Sequence, residues 1–115
     1  MDKFPVEDGH CLIIPRKHYV NILDIERQVY LDIHNLARYV SRAVMDVFHA
    51  DGVNIGQNNG ECAKQVVMHY HLHVIPRHCG RELMWSRLDR SDQELEKYAN
   101  MISTRLNDII NLDII

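Results

Sequence analysis

No run of apolar residues in this 115-residue chain approaches the roughly 18 that a membrane span requires. The first ten residues, MDKFPVEDGH, carry no apolar core of the kind that directs export. Cysteine is scarce: Cys11, Cys62 and Cys79 are odd in number, scattered, and form no C-x-x-C pair. That pattern predicts reduced thiols in a cytoplasmic setting rather than a disulfide frame. Positive charge is not in excess either. Thirteen Lys and Arg against sixteen Asp and Glu leave a net charge of -3, so no global field favours nucleic acid or an anionic membrane. Any anion site must be local. What remains is an ordinary globular balance, 46% hydrophobic and 25% charged, long enough for one domain over residues 1–115 with a modest core. So small a core makes pairing with a second copy a reasonable expectation.

Periodicity supplies the elements. GHCLIIP, residues 9–15, is a short apolar run closed by a proline and predicts a strand. Residues 24–49 predict a long helix, since Val29, Ile33, Leu36, Val40, Ala43, Val44 and Val47 recur at three- and four-residue steps. Asp24 is the expected cap at its start, and Gly52 the residue expected to turn left-handed at its end. VNIGQ, residues 53–57, predicts a second strand, and Asn58-Asn59-Gly60 a turn. Residues 66–75 alternate as a third strand that Pro76 should stop. Ser91-Asp92-Gln93-Glu94 fits a capping box, with Leu95, Tyr98, Ala99, Ile102 and Leu106 following at helical spacing. The order β-α-β-β-α predicts an α+β fold: an antiparallel sheet carrying one long helix and a C-terminal helix.

Within the third strand lies MHYHLHVIPR, residues 68–77. Alternate side chains of a strand share a face, about 7 Å apart. His69, His71 and His73 are therefore expected to form one imidazole row, with Tyr70, Leu72 and Val74 turned to the core. One exposed histidine would be unremarkable; three in alternation suggest chemistry. Two readings fit. Imidazoles can ligate zinc, or a neutral imidazole can attack phosphorus while its neighbours hold the phosphate. No carboxylate or thiol lies within five residues of the row, whereas Arg77, Arg81, Arg87 and Arg90 follow it. That local excess suits an anion better than a metal.

The pattern H-Y-H-L-H-V-I resembles the histidine-triad motif, His-φ-His-φ-His-φ-φ. Gly9-His10-Cys11-Leu12-Ile13-Ile14-Pro15-Arg16-Lys17-His18 resembles the G-H-x-L-V-I-P-K-x-H segment of the same family, and Asn58 to Gln65 resembles its N-N-G-x-x-A-G-Q segment. The three segments stand in the right order across residues 1–79. The chain thus resembles the histidine-triad nucleotide-binding and hydrolase superfamily. The resemblance implies that His71 is a nucleophile toward the α-phosphorus of a nucleotide, forming a nucleotidyl-histidine that water hydrolyses. It implies that His73 contacts the α-phosphate and that His69 and His10 form a supporting hydrogen-bonded pair. Asn58, Gln65 and the backbone from Lys64 to Val66 would hold phosphate and ribose, with Asp2 on the ribose hydroxyls. His18, His34, His49 and His78 are given no role. A purine nucleotide substrate and a homodimer with one continuous sheet are the implied partners; no metal or cofactor is expected.

The chain departs from the pattern in three places. The residues read here begin at Met1, next to the position of Asp2, ahead of which the pattern has a strand and helix that help form the base pocket. Lys64 stands where the pattern has glycine, which reaches positive φ more cheaply; either the loop differs or the ammonium reaches a phosphate. Val66 replaces a hydroxyl-bearing residue. The sequence leaves open a hydrolase of nucleoside phosphoramidates or dinucleoside polyphosphates, a noncatalytic nucleotide sensor and, last, a zinc protein.

Overall fold

The computed structural model describes residues 1–83 and 86–112. Strand β1 spans Cys11–Ile13, helix α1 Arg27–Phe48, strand β2 Gly52–Gly56, strand β3 Leu72–Arg77 and helix α2 Asp92–Leu112, with a 3-10 turn at Glu61–Ala63 before β3. The sheet is antiparallel in the order β1-β3-β2, so the strand carrying His73 is central. The expected α+β fold is what the chain adopts.

Helix α1 covers one face of the sheet, and α2 packs against α1. In α1, Ile33, Ala37, Val40, Ala43 and Val44 fall on one stripe and are buried, while Leu36, expected among them, is 37% exposed at the margin. In α2 the buried positions are Leu95, Ile102 and Ile109. Toward the C-terminus, where Ile109, Ile110, Leu112, Ile114 and Ile115 crowd together in sequence, Ile110 and Leu112 are exposed, and Ile114 and Ile115 lie outside the described residues. Tyr70, Leu72 and Val74 meet the helices from the sheet side, as their alternation predicts. Each large aliphatic side chain so buried contributes about 1.5–3 kcal/mol. Arg105 Nε donates to Asp46 Oδ2 at 2.9 Å and Tyr98 packs edge-on against Phe48, tying α2 to α1.

Strand β1 is shorter than residues 9–15, β2 is shifted by one residue, and other boundaries differ from the sequence reading as well. Helix α1 begins at Arg27, and Asp24 caps a turn instead, accepting from the amides of Val20 and Asn21 at 3.0 and 2.9 Å. These amides also hold its carboxyl below the usual range. The left-handed residue ending α1 is His49 (φ 53°), and Gly52 opens β2. Strand β3 starts only at Leu72 and runs through Pro76. A proline is tolerated in this central strand because β1 pairs no further than Val74, so the missing N–H breaks no bond on that side. At α2 the capping box forms with a variation: the Glu94 amide donates to Ser91 Oγ at 3.1 Å, and that hydroxyl lies 3.2 Å from Glu94 Oε1.

The N-terminal segment runs beside β1, the Asp2 amide donating to the His10 carbonyl at 2.9 Å. Gly9 turns it at φ +91°, against Phe48 and Pro76; a Cβ at Gly9 would lie 2.7 Å from the Phe48 ring. Four residues, Arg81, Arg87, Leu88 and Arg90, then tie this segment down. Arg81 pairs with Glu7, Arg87 with Asp2 and Arg90 with Asp8, and the Leu88 amide donates to the Pro5 carbonyl at 2.7 Å.

Candidate active site

The open face of the sheet presents a cavity of about 610 Å³ whose wall includes His69, His71 and His73 together with Asp2, Asn58, Lys64 and Val66. Phe4, Leu12, Ile14 and Val67 give it an apolar side. A second cavity, also about 610 Å³, adjoins it and holds His10; the two share Asn58, Lys64, His73 and Arg87. Eight of the nine residues singled out from sequence therefore border one connected space.

The backbone fixes which nitrogen of each imidazole carries its proton. The Val6 amide donates to His10 Nδ1 at 3.1 Å, so the neutral His10 ring carries its proton on Nε2. That nitrogen lies 2.8 Å from His73 Nδ1 and 3.5 Å from Asp2 Oδ2. His73 Nδ1 must then accept, which places its proton on Nε2. His71 Nδ1 lies 2.7 Å from the carbonyl of His69. A carbonyl only accepts, so Nδ1 donates and His71 Nε2 keeps its lone pair. Ring centroids of His71 and His73 are 5.1 Å apart, edge to face. A lone pair and an N–H donor thus stand side by side on one face.

Burial keeps this arrangement neutral. His10 is 1% exposed, and desolvation lowers its pKa to about 4 against the opposing pull of Asp2. His73 is lowered too, by burial first and by His71 second. An imidazolium at either position would destroy the donor–acceptor order.

The expected pairing of His69 with His10 does not occur. His69 precedes β3, where the Tyr70 amide donates to the Tyr19 carbonyl at 2.7 Å and draws the chain toward residues 15–19. The His69 ring turns with it: Nε2 donates to the Pro15 carbonyl at 3.0 Å and Nδ1 lies 2.8 Å from His18 Nδ1. His18, given no role from sequence, is the partner, and it closes the same ten-residue segment that opens with Gly9-His10. Gln65 also departs from expectation. It is 4% exposed and faces neither cavity. Its Oε1 accepts from the Gly60 amide and Asn21 Nδ2, and its Nε2 donates to the carbonyls of Val20 and Val67. With both amide hydrogens spent on the protein it braces the loop and has no donor left for a phosphate.

Lys64 keeps a left-handed backbone, φ 71°, as a glycine would; a Cβ there costs about 1–2 kcal/mol. Asp2 is anchored by three hydrogen bonds. Its amide donates to the His10 carbonyl, and its carboxylate accepts from Phe4 N–H and Arg87, lying 3.5 Å from His10 Nε2. Of the arginines expected to attract an anion, Arg81 and Arg90 are committed to carboxylates outside both cavities. The pair His10 and His73, with Asp2, could also be considered for a metal, their ligand atoms all lying within 4.8 Å. The donor set does not fit. A metal on His10 Nε2 needs Nδ1 to carry the proton and meet an acceptor, and Nδ1 meets an amide N–H instead.

The HIT domain family profile matches residues 1–80. An uncharacterized HIT-like protein of Saccharolobus solfataricus is 38% identical over 99 residues, covering 85% of this chain and 71% of its own. The adenosine 5'-monophosphoramidase hnt1 of Schizosaccharomyces pombe is 29% identical over 109 residues, covering 92% and 79%. Among solved structures, a Hit-like protein involved in cell-cycle regulation from Bartonella henselae superposes with TM-score 0.87 at 33% identity, over 91% of this chain and 76% of that one. A zinc-bound histidine triad family protein of Mycobacterium smegmatis gives 0.85 at 32%, over 97% and 78%. The diadenosine triphosphate hydrolase of Plasmodium falciparum gives 0.81 at 26%, over 94% and 69%. Alternating histidines that lead into a central antiparallel strand, a glycine-turned His10 behind them and a profile match across most of the chain make this protein a member of the histidine triad (HIT domain) family.

Proposed function

We propose that this chain is a nucleotide hydrolase that cleaves at the α-phosphate of a nucleoside phosphoramidate or a dinucleoside polyphosphate. One observation carries the reading: His71 is held by the His69 carbonyl so that Nε2 keeps its lone pair, at the wall of a nucleotide-sized cavity. His71 Nε2 attacks the α-phosphorus; the P–N bond forms as the bond to the leaving group breaks, and the electron pair departs with that group, an amide nitrogen taking up a proton from solvent and leaving as neutral amine. Water then attacks phosphorus, the P–N bond breaks and its pair returns to Nε2, the water's proton passing to solvent. Dividing the hydrolysis lowers each barrier. His73 Nε2–H and Lys64 meet the charge growing on the nonbridging oxygens. His10 orients His73, the His18–His69 pair orients the carbonyl side of His71, and Asp2 and Asn58 hold ribose and phosphate beside Val66. The activities of the fission-yeast phosphoramidase and the Plasmodium hydrolase support this class of reaction.

Replacing His71 by alanine tests it. AMP release from adenosine 5'-phosphoramidate should fall by more than the roughly 10²- to 10⁴-fold of a lost acid–base group, and intact-mass spectrometry should lose any nucleotidylated species. Undiminished turnover would remove His71 as nucleophile. We further propose that residues 1–115 act as one domain, in the cytosol, as a homodimer. Strand β2 is an outer strand whose Asn54, Ile55 and Gly56 are exposed, which favours extension of the sheet by a second copy. Light scattering reads the mass directly.

A further inference from the structure

Four side chains run in order from the surface to the histidine row: Arg87, Asp2, His10 and His73. Arg87, which is exposed, donates from Nη1 to Asp2 Oδ2 at 3.2 Å and to the Phe4 carbonyl at 2.7 Å. The same Asp2 oxygen lies 3.5 Å from His10 Nε2. His10 Nε2 in turn lies 2.8 Å from His73 Nδ1. Asp2 and His10 are both buried. Arg87 stands beyond the segment that the family profile spans and belongs to none of the three motifs.

His10 has one proton on Nε2 and two acceptors in front of it, His73 Nδ1 and Asp2 Oδ2. A bare carboxylate is the stronger acceptor, because a hydrogen bond to an ionised oxygen is about twice as strong as one between neutral groups. Left to itself, Asp2 would draw that proton away from His73. His73 Nδ1 would then lack its donor, and nothing would fix the ring's own proton on Nε2. Arg87 changes the balance. Its guanidinium sits on the contested oxygen, while the Phe4 amide takes the other one at 2.9 Å. Among the described residues, Arg87 is the only Lys or Arg within salt-bridge distance of Asp2.

We propose that Arg87 is a positioning residue: by occupying Asp2 Oδ2 it leaves the His10 proton to His73, and so keeps His73 Nε2–H as a donor for the substrate phosphate. The inference rests on the role given to His73 above; the proton order itself does not. The charges around the pair act in the same sense. Burial does most to keep both rings neutral; Asp2 works against it and Arg87 with it. The Met1 ammonium acts with Arg87 on His10, and His71 does so on His73. Lys64 faces the pair from the cavity wall.

The test follows proton position and turnover in wild type, Arg87→Gln, Arg87→Lys, Asp2→Asn and the D2N/R87Q double variant. Glutamine keeps a donor for the Phe4 carbonyl without the charge; lysine keeps the charge. Nitrogen-15 NMR of the imidazoles at pH 7 should show His73 protonated on Nε2 alone in the wild type. In R87Q its two nitrogen shifts should move toward a mixture of tautomers, and adding D2N should restore them. On adenosine 5'-phosphoramidate, R87Q should lower kcat by about 5- to 30-fold, with a smaller change in KM. R87K should keep most of the wild-type kcat. The acid limb of the R87Q kcat profile should move to higher pH, because Asp2 then favours a proton on His10 and His73 unopposed by Arg87. Placed on D2N, R87Q should cost less than about twofold in kcat. Unmoved His73 nitrogens in R87Q, a kcat loss that persists in full on D2N, a loss confined to KM, or an R87K as impaired as R87Q would overturn the proposal. A wild type that turns over no nucleotide would sink the His71 reading instead, and the His73 nitrogen shifts would still decide what Arg87 does.

Discussion

Replacing His10 by glutamine should change how the stability of this protein responds to acid. In the fold, burial against Val6, Asp2 and His73 holds the His10 ring neutral down to about pH 4, against 6.5 for the free side chain. Above pH 6.5 neither the folded nor the unfolded chain binds a proton there, and the stability associated with the neutral ring is fully present. As pH falls below 6.5 the unfolded chain takes up a proton that the folded chain refuses, so stability drops until the folded ring itself protonates near pH 4. That gap is worth about 3 kcal/mol. His73, shifted in the same direction, adds to the loss; Asp2 opposes it and Arg87 reinforces it. Urea unfolding of wild type and H10Q at closely spaced pH values from 7.5 to 4 provides the measurement. At pH 7 the variant should be weaker by about 1–3 kcal/mol, since the Val6 amide and His73 Nδ1 lose their partner. By pH 4 the deficit should shrink by about 3 kcal/mol. Carboxylates common to both proteins cancel in the difference. Parallel stability curves would refute the claim that a buried neutral imidazole organises this corner.

Two other positions make equally direct predictions. Gly9→Ala drives a methyl group into the Phe48 ring at a backbone angle that suits glycine; thermal unfolding should show a loss above about 2 kcal/mol, with phosphoramidate turnover falling because His10 moves with residue 9. Gln65→Ala strips four hydrogen bonds from the loop before β3; stability by urea unfolding should fall by about 2 kcal/mol, and KM should rise more than kcat falls, because Asn58 and Lys64 border the cavity from that loop.

Much of this was legible in the residues. The three- and four-residue steps of α1, the Ser91–Glu94 pair and the alternation Tyr70, Leu72, Val74 each report a local rule, and local rules survive folding. The histidines and their neighbours from Asp2 to Val66 came together because their motifs name them. What escaped depends on partners distant in sequence. Asp24 has the chemistry of a helix cap, but the amides that reach it belong to Val20 and Asn21. Pro76 should have ended a strand, yet β1 stops short of it on the side where its missing hydrogen would count. Gln65 has the chemistry of a phosphate donor, and only the arrival of the Val20 carbonyl, beside that of Val67, shows its hydrogens spent. The exchange of imidazole partners, His10 with His73 and His18 with His69, follows from a chain that bends before Leu72, which alternation alone does not reveal. Four arginines after the triad read alike, and three-dimensional placement divides them into two straps, one mixed role and one cation facing a cavity.

The Arg87–Asp2 contact joins residues 85 positions apart. Closing so long a loop carries an entropic cost that grows only slowly with its length, and the contact makes one wall of the cavity depend on both ends of the sequence at once. A change near Arg87 is thereby felt at Asp2, and through Asp2 beside His10, though no residue between them in sequence need move.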